Sequence, residues 1–169
     1  MRNKLIVAAL VLIGVASVAY AAYAQVLTIN GTSTASGTWD VKITGITRSA
    51  AAGATEASST PSFTNTSATF DTTLAYPGAT ATYDVTVTNN GTVPAKLTTI
   101  GGLATVNAAA PTYVGYTITG VTAGSTTLAA NGGTNTITVT VTWDAASTVS
   151  TTSASKTATL TFNYDQNTP

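Results

Sequence analysis

From Trp39 onward the chain alternates. In Trp39-Asp40-Val41-Lys42-Ile43-Thr44 the odd positions are apolar and the even ones polar. Tyr83-Asp84-Val85-Thr86-Val87-Thr88 repeats the pattern. Val114, Tyr116 and Ile118 alternate with Gly115, Thr117 and Thr119, and Ile137, Val139, Val141 and Trp143 with Thr138, Thr140 and Thr142. Near the end, Ala158, Leu160, Phe162 and Tyr164 alternate with Thr159, Thr161 and Asn163. A period of two over six or more residues predicts a strand with one buried and one wet face. No segment after Ala24 carries a convincing helical period. Pro77-Gly78, Asn90-Gly91, Gly101-Gly102, Ala123-Gly124 and Asn131-Gly132-Gly133 fall between the alternating runs, where turns are needed. Short strands separated by turn signals predict an all-β sandwich of two packed sheets with about seven to nine strands. Ser49 to Thr66 has no clear period and reads as a long surface connection, with one weak strand near Phe63 to Phe70. Both Trp39 and Trp143 are expected inside the core, together with Leu97, Ile100 and Leu128.

The first residues follow a different rule. Met1-Arg2-Asn3-Lys4 carries two positive charges, Leu5 to Val18 is apolar, and Ala22-Tyr23-Ala24 precedes Gln25. Those are the three regions of a secretory signal peptide cut after Ala24. The competing reading is a retained membrane helix, since Leu5 to Ala24 is 20 uncharged residues and about 20 span a bilayer. The expected organisation is therefore a signal peptide over 1–24, an N-terminal strand and linker over 25–35, and a sandwich domain over 36–169.

Composition then removes whole classes of chemistry. Charged residues are 7% of the chain and the net charge is zero, against roughly 25% charged in ordinary soluble domains. Threonine takes their place: it has β-propensity and supplies hydroxyls without charge. There is no Cys and no His. A disulfide framework, a Cys- or His-based metal site and a His- or Cys-based catalytic dyad are thereby excluded. Six basic residues against six acidic ones leave no nucleic-acid stripe. The remaining acid–base candidates, Asp40, Asp84 and Asp144, sit at positions predicted to face solvent, with no sign of pairing across a cleft. Asp165-Gln166-Asn167 is the nearest approach to a calcium-ligand cluster and reads as a chain-end loop. No cofactor and no enzymatic activity are expected. Asn30, Asn65 and Asn90 each begin an N-x-[ST] triplet, so each is a candidate glycosylation site in an exported chain.

One group of residues carries a resemblance. Leu74-Ala75-Tyr76-Pro77-Gly78-Ala79, followed by Tyr83 to Thr88 and then Asn89-Asn90-Gly91-Thr92-Val93-Pro94-Ala95, is a "PG, strand, N-x-G" core. It resembles that of the TasA and camelysin family of biofilm fibre proteins and the archaeal bundling pilins related to them. The resemblance implies a jelly-roll-like or immunoglobulin-like sandwich exported to the cell surface. It also implies an extracellular pilus built by donor-strand complementation, in which the N-terminal strand of one subunit completes the sheet of the next. The partner would be a second copy of the chain, with lateral fibre–fibre contacts besides, no nucleic acid, and no membrane after leader removal. A role in biofilm or cell–cell adhesion would follow. The donor residues would be Gln25, Val26, Leu27, Thr28, Ile29, Asn30 and Gly31. Seven residues reach about 23 Å at about 3.3 Å each, enough to cross a sandwich. Alternation puts Leu27, Ile29 and Gly31 on one face, and Val26, Thr28 and Asn30 on the other. Two other readings stay open on the residues alone: a monomeric secreted binding or adhesion module, and a membrane-anchored surface-layer domain.

Overall fold

The structure is a computed structural model that describes residues 31–148 and 156–167. Among these lie β1 (Val41–Ala52), β2 (Ala54–Glu56), β3 (Ser62–Phe63), β4 (Ala68–Thr69), β5 (Thr72–Leu74), β6 (Thr80–Asn89) and β7 (Ala95–Gly101). The short helix α1 (Leu103–Ala108) follows, then β8 (Val114–Thr119), β9 (Thr127–Leu128), β10 (Gly133–Trp143) and β11 (Thr161–Gln166). The described residues from Ser36 onward belong to one compact unit.

Every strand pairing is antiparallel. One sheet has the order β1-β6-β10-β8 and a second β11-β7-β9, while β2-β5 and β3-β4 form two small ribbons. The inward residues of the two larger sheets share one core. Ala81, Tyr83, Val85 and Val87 of β6 and Ile137, Val139 and Val141 of β10 pack with Val114, Tyr116, Ala95 and Leu128. The period-two expectation holds residue by residue along β6, whose ten positions alternate between half-buried and buried. Threonines make up most of the opposite face and bond one another across strands. Thr82 meets Thr140 at 3.1 Å and Thr44 meets Thr88 at 2.8 Å, hydroxyl to hydroxyl.

The structure corrects the sequence-based picture in four places. The described residues contain eleven strands in four sheets, rather than seven to nine in two. The extra elements come from Ser49 to Thr66 and the residues after it: β1 runs on to Ala52, and the two ribbons follow. Their short pairings have no periodic signature, because a strand of two or three residues is too brief to show a period. The six-residue helix α1 buries only Val106 in the core, with Leu103 packed half-buried beside it. Trp39 is not a core residue: it is 48% exposed. Trp143 is buried as expected, and its indole N–H donates to Ser147 Oγ at 2.6 Å.

Two core phenols set an alkaline limit. Burial pushes the Tyr83 hydroxyl above its ordinary value near 10, and a hydrogen bond with Thr72 offsets part of this. Burial does the same to Tyr116, whose hydroxyl donates to the Lys156 carbonyl at 3.1 Å. A group whose folded pKa lies above its unfolded value contributes stability that is complete below about pH 10. That contribution is lost as pH rises through the folded value. The thermal midpoint is expected to stay level from about pH 8 to about pH 10 and to fall beyond it. Circular-dichroism melts across that range measure it, and a midpoint that climbs at the alkaline end contradicts the assignment.

Candidate functional site: an open groove between two edge strands

The two larger sheets do not close on one side. β1 and β11 are each the edge of their sheet, and between them opens a cavity of about 970 Å³. Its floor is the buried inner face of β6 and β10, with Val85, Val87, Ile137 and Val139. Val41 and Ile43 stand on one wall, and Leu160, Phe162 and Tyr164 on the other. These wall residues pack against the core yet stay only half-buried. All were expected in the core on their alternation. They do face inward, but the layer that would cover them is missing among the described residues. Trp39 lies at the rim of the same cavity.

The edges differ. β1 is partly covered by the turn between β3 and β4, where the Asn65 carbonyl accepts from the Ile43 N–H at 2.8 Å. Within that turn the Thr64 hydroxyl accepts from the backbone N–H groups of Thr66 and Ser67. Phe70, the residue immediately after β4, turns into the cavity and stacks on Tyr83, with ring centroids 4.3 Å apart. β11 pairs with β7, but no strand flanks its other side among the described residues. An unpaired edge presents alternate N–H and C=O groups to whatever strand can reach them.

The groove has two distinguishable ends. At one, the loop after β6 gathers the start of β1 and the finish of β11. Asn90 N–H donates to the Asp40 carbonyl at 2.8 Å, Thr92 N–H to the Thr38 carbonyl at 3.0 Å, and Asn167 N–H to the Pro94 carbonyl at 2.8 Å. Buried Asn89 holds this loop: its amide donates to the Val93 carbonyl at 2.8 Å and its Oδ1 accepts from Gly91 N–H at 3.0 Å. Gly91 has to be glycine there, because a Cβ would lie 2.3 Å from the Thr38 carbonyl oxygen. The "N-x-G" part of the motif thus fixes where the chain joins the body. At the other end, the Lys156 ammonium donates to the carbonyls of Val114 at 2.6 Å and Pro111 at 3.1 Å. β11 therefore runs from the Lys156 end to the Trp39 end, and β1 begins where β11 finishes.

The charged groups near the groove are few. Lys42 pairs with Asp40 at 2.9 Å, and Asp165, on the groove wall at the Trp39 end, accepts from the Thr98 hydroxyl at 2.9 Å. Burial raises the Tyr164 phenol above its ordinary value, and a hydrogen bond from Asn135 offsets part of it. Asp40, Asp84 and Asp144 are not brought together. Asp40 stands beside Lys42, Asp84 accepts from Thr138 at 2.7 Å in the middle of the sheet, and Asp144 accepts from Ala146 N–H at 2.9 Å beyond β10. Among the described residues no three metal-ligating side chains cluster, and no helix is long and apolar enough to cross a membrane.

Of the expected donor residues, Gln25 to Asn30 lie outside the described residues, and Gly31 carries no regular structure. The signal-peptide residues, 1–24, also lie outside them. Asn65 is exposed at the turn beside the groove, and Asn90 is exposed in the loop after β6. The roles of Phe70 and Asn89 were not legible beforehand, although Asn89 opens the Asn-x-Gly motif. No protein-family model, curated protein or solved structure matches the chain. The functional reading therefore rests on the groove and on the sequence.

Proposed function

We propose that this chain is the structural subunit of an extracellular filament, a jelly-roll-like sandwich that polymerises by inserting its N-terminal strand into the next copy. The observation that carries this reading is the half-buried wall of β1 and β11: apolar residues in strand alternation, beside an edge with no strand partner among the described residues. The matching segment is Gln25 to Gly31, a short β-prone run set apart from Trp39 by the polar stretch Thr32 to Thr38. Covering Leu27 and Ile29 would contribute about 1.5–3 kcal/mol each, with main-chain hydrogen bonds along the edge adding to it. Cleavage after Ala24 would release that strand for insertion. Electron microscopy of the mature protein tests the reading. Filaments are expected, whereas monomers at every concentration would favour a secreted binding module. Surface-isolated protein that retains Leu5 to Val18 would favour a membrane-anchored domain.

Lateral association would use the outer face of the four-stranded sheet. Its only carboxylate on β6 or β10, Asp84, is held by Thr138, and the rest of that face on those two strands is mainly threonine. Contacts made by hydroxyls and methyls are insensitive to screening. Bundles of these filaments are therefore expected to survive roughly 1 M salt, where the Debye length is about 3 Å. Light scattering across a salt titration measures this, and bundles that dissolve as salt rises would mean a charged seam instead.

A further inference from the structure

We propose that the inserted strand runs antiparallel to β11 and delivers its terminal ammonium, at Gln25, to Asp165. The inference rests on the filament reading and adds direction, register and a recognition site for the processed amino terminus.

Direction follows from where the chain joins the body. Thr38 is fixed at the Trp39 end by its bonds with Thr92. The arm of each copy therefore leaves by that end. If a neighbour's arm also came in there, two copies would face each other and close as a reciprocal pair, an isologous arrangement that does not propagate. An open chain needs the arm to come in at the Lys156 end and to finish at the Trp39 end. Such a strand runs opposite to β11. Insertion of a copy's own arm, or a reciprocal pair, would place it parallel to β11.

Register follows from the side chains. Ala158, Leu160, Phe162 and Tyr164 are the half-buried positions of the β11 segment. An antiparallel strand with Leu27 opposite Phe162 puts Ile29 opposite Leu160, Gly31 opposite Ala158 and Gln25 opposite Tyr164. Directly opposed residues share a face, so every inward position of the donor meets an inward position of β11. The lengths agree as well, since 158–164 and 25–31 are both seven residues.

Charge selects the same direction. Antiparallel insertion brings the terminal ammonium beside Asp165, whose carboxylate bonds, among the described residues, only the Thr98 hydroxyl. Lys96, the cross-strand neighbour of Asp165, forms no ion pair with it, and Lys42 is engaged with Asp40. Parallel insertion would bring that ammonium toward the Lys156 ammonium instead. Complementary charge at one end and like charge at the other fix orientation. An uncleaved leader would continue the chain past Asp165 and abolish the charge pair, so assembly would read processing.

The chain has no cysteine, so introduced pairs report direction without background. The first mature variant carries Val26→Cys with Asn163→Cys, outward neighbours only in the antiparallel register. The second carries Val26→Cys with Thr159→Cys, neighbours only in the parallel one. Oxidation of filaments is expected to give a ladder of covalent multimers from the first and none from the second. A ladder from the second, or linked dimers alone, overturns the proposal while leaving strand exchange intact, whereas linked monomers alone mean that each arm folds onto its own body and overturn the filament reading with it. Absence of filaments from the unsubstituted mature chain overturns the filament reading and this one with it. In the otherwise natural chain, Asp165→Asn is expected to raise the critical concentration roughly two- to five-fold, the range of a solvent-exposed ion pair. Acetylating the amino terminus should do the same, and the two changes together should do no more than either alone. An Asp165→Asn chain that assembles at the original concentration overturns the ammonium site.

Discussion

Removal of Gln25 to Gly31 is expected to abolish filaments completely while the body stays folded. The segment lies ahead of the compact unit that begins at Ser36, and the body's sheets pair without it. Its loss should leave the melting transition of the remaining protein cooperative. What it would remove is the cover for Leu160, Phe162, Val41 and Ile43, so the truncated body should bind hydrophobic dyes and aggregate through the edge of β11. A peptide of the deleted sequence, added in trans, should raise the melting temperature of the truncated body and suppress dye binding. Changing Leu27 and Ile29 to Asp in that peptide should eliminate both effects, because a carboxylate in an apolar groove cannot be solvated. Normal filaments from the deletion variant would sink the strand-insertion mechanism.

The second large effect separates core from groove. Leu97 is fully buried, and Leu97→Ala should destabilise the monomer by about 2–5 kcal/mol through lost burial and the residual cavity. That is a large part of the roughly 5–15 kcal/mol that holds a domain folded. Phe162→Ala removes a larger side chain from a half-buried site. It should cost the monomer less than Leu97→Ala, because its ring already meets solvent and leaves no closed cavity. In the assembled state the order should invert, with Phe162→Ala the variant whose filaments dissociate at the lowest denaturant concentration. Urea titrations of the truncated body and of filaments, run side by side, give both orders. Equal losses in both states would mean that nothing covers the groove on assembly.

Much of this was legible along the chain. The alternation that marks Tyr83 to Thr88 and Ile137 to Trp143 identifies the inner faces of β6 and β10 correctly, because side chains on a strand point to opposite faces whatever lies beyond. The Asn89-Asn90-Gly91 turn was visible as a turn, though not as the clamp on Thr38. Trp39-Asp40 reads as strand, yet β1 starts at Val41. Ala158 to Leu160 alternates as strand, yet regular pairing begins at Thr161. Strand ends depend on which neighbour offers hydrogen bonds, which local pattern does not contain.

From the residues alone come the all-β character of the body, the apolar face of each long strand, and the exclusion of His- or Cys-based chemistry. Folding adds that β11 joins β7 rather than β1, that Phe70 covers Tyr83, and that Val41, Ile43, Leu160, Phe162 and Tyr164 line an open groove. The reason is that a period of two records the direction of a side chain and nothing about what faces it. Whether an inward residue meets a second layer or a gap depends on the order of strands far apart in sequence, which only long-range pairing fixes.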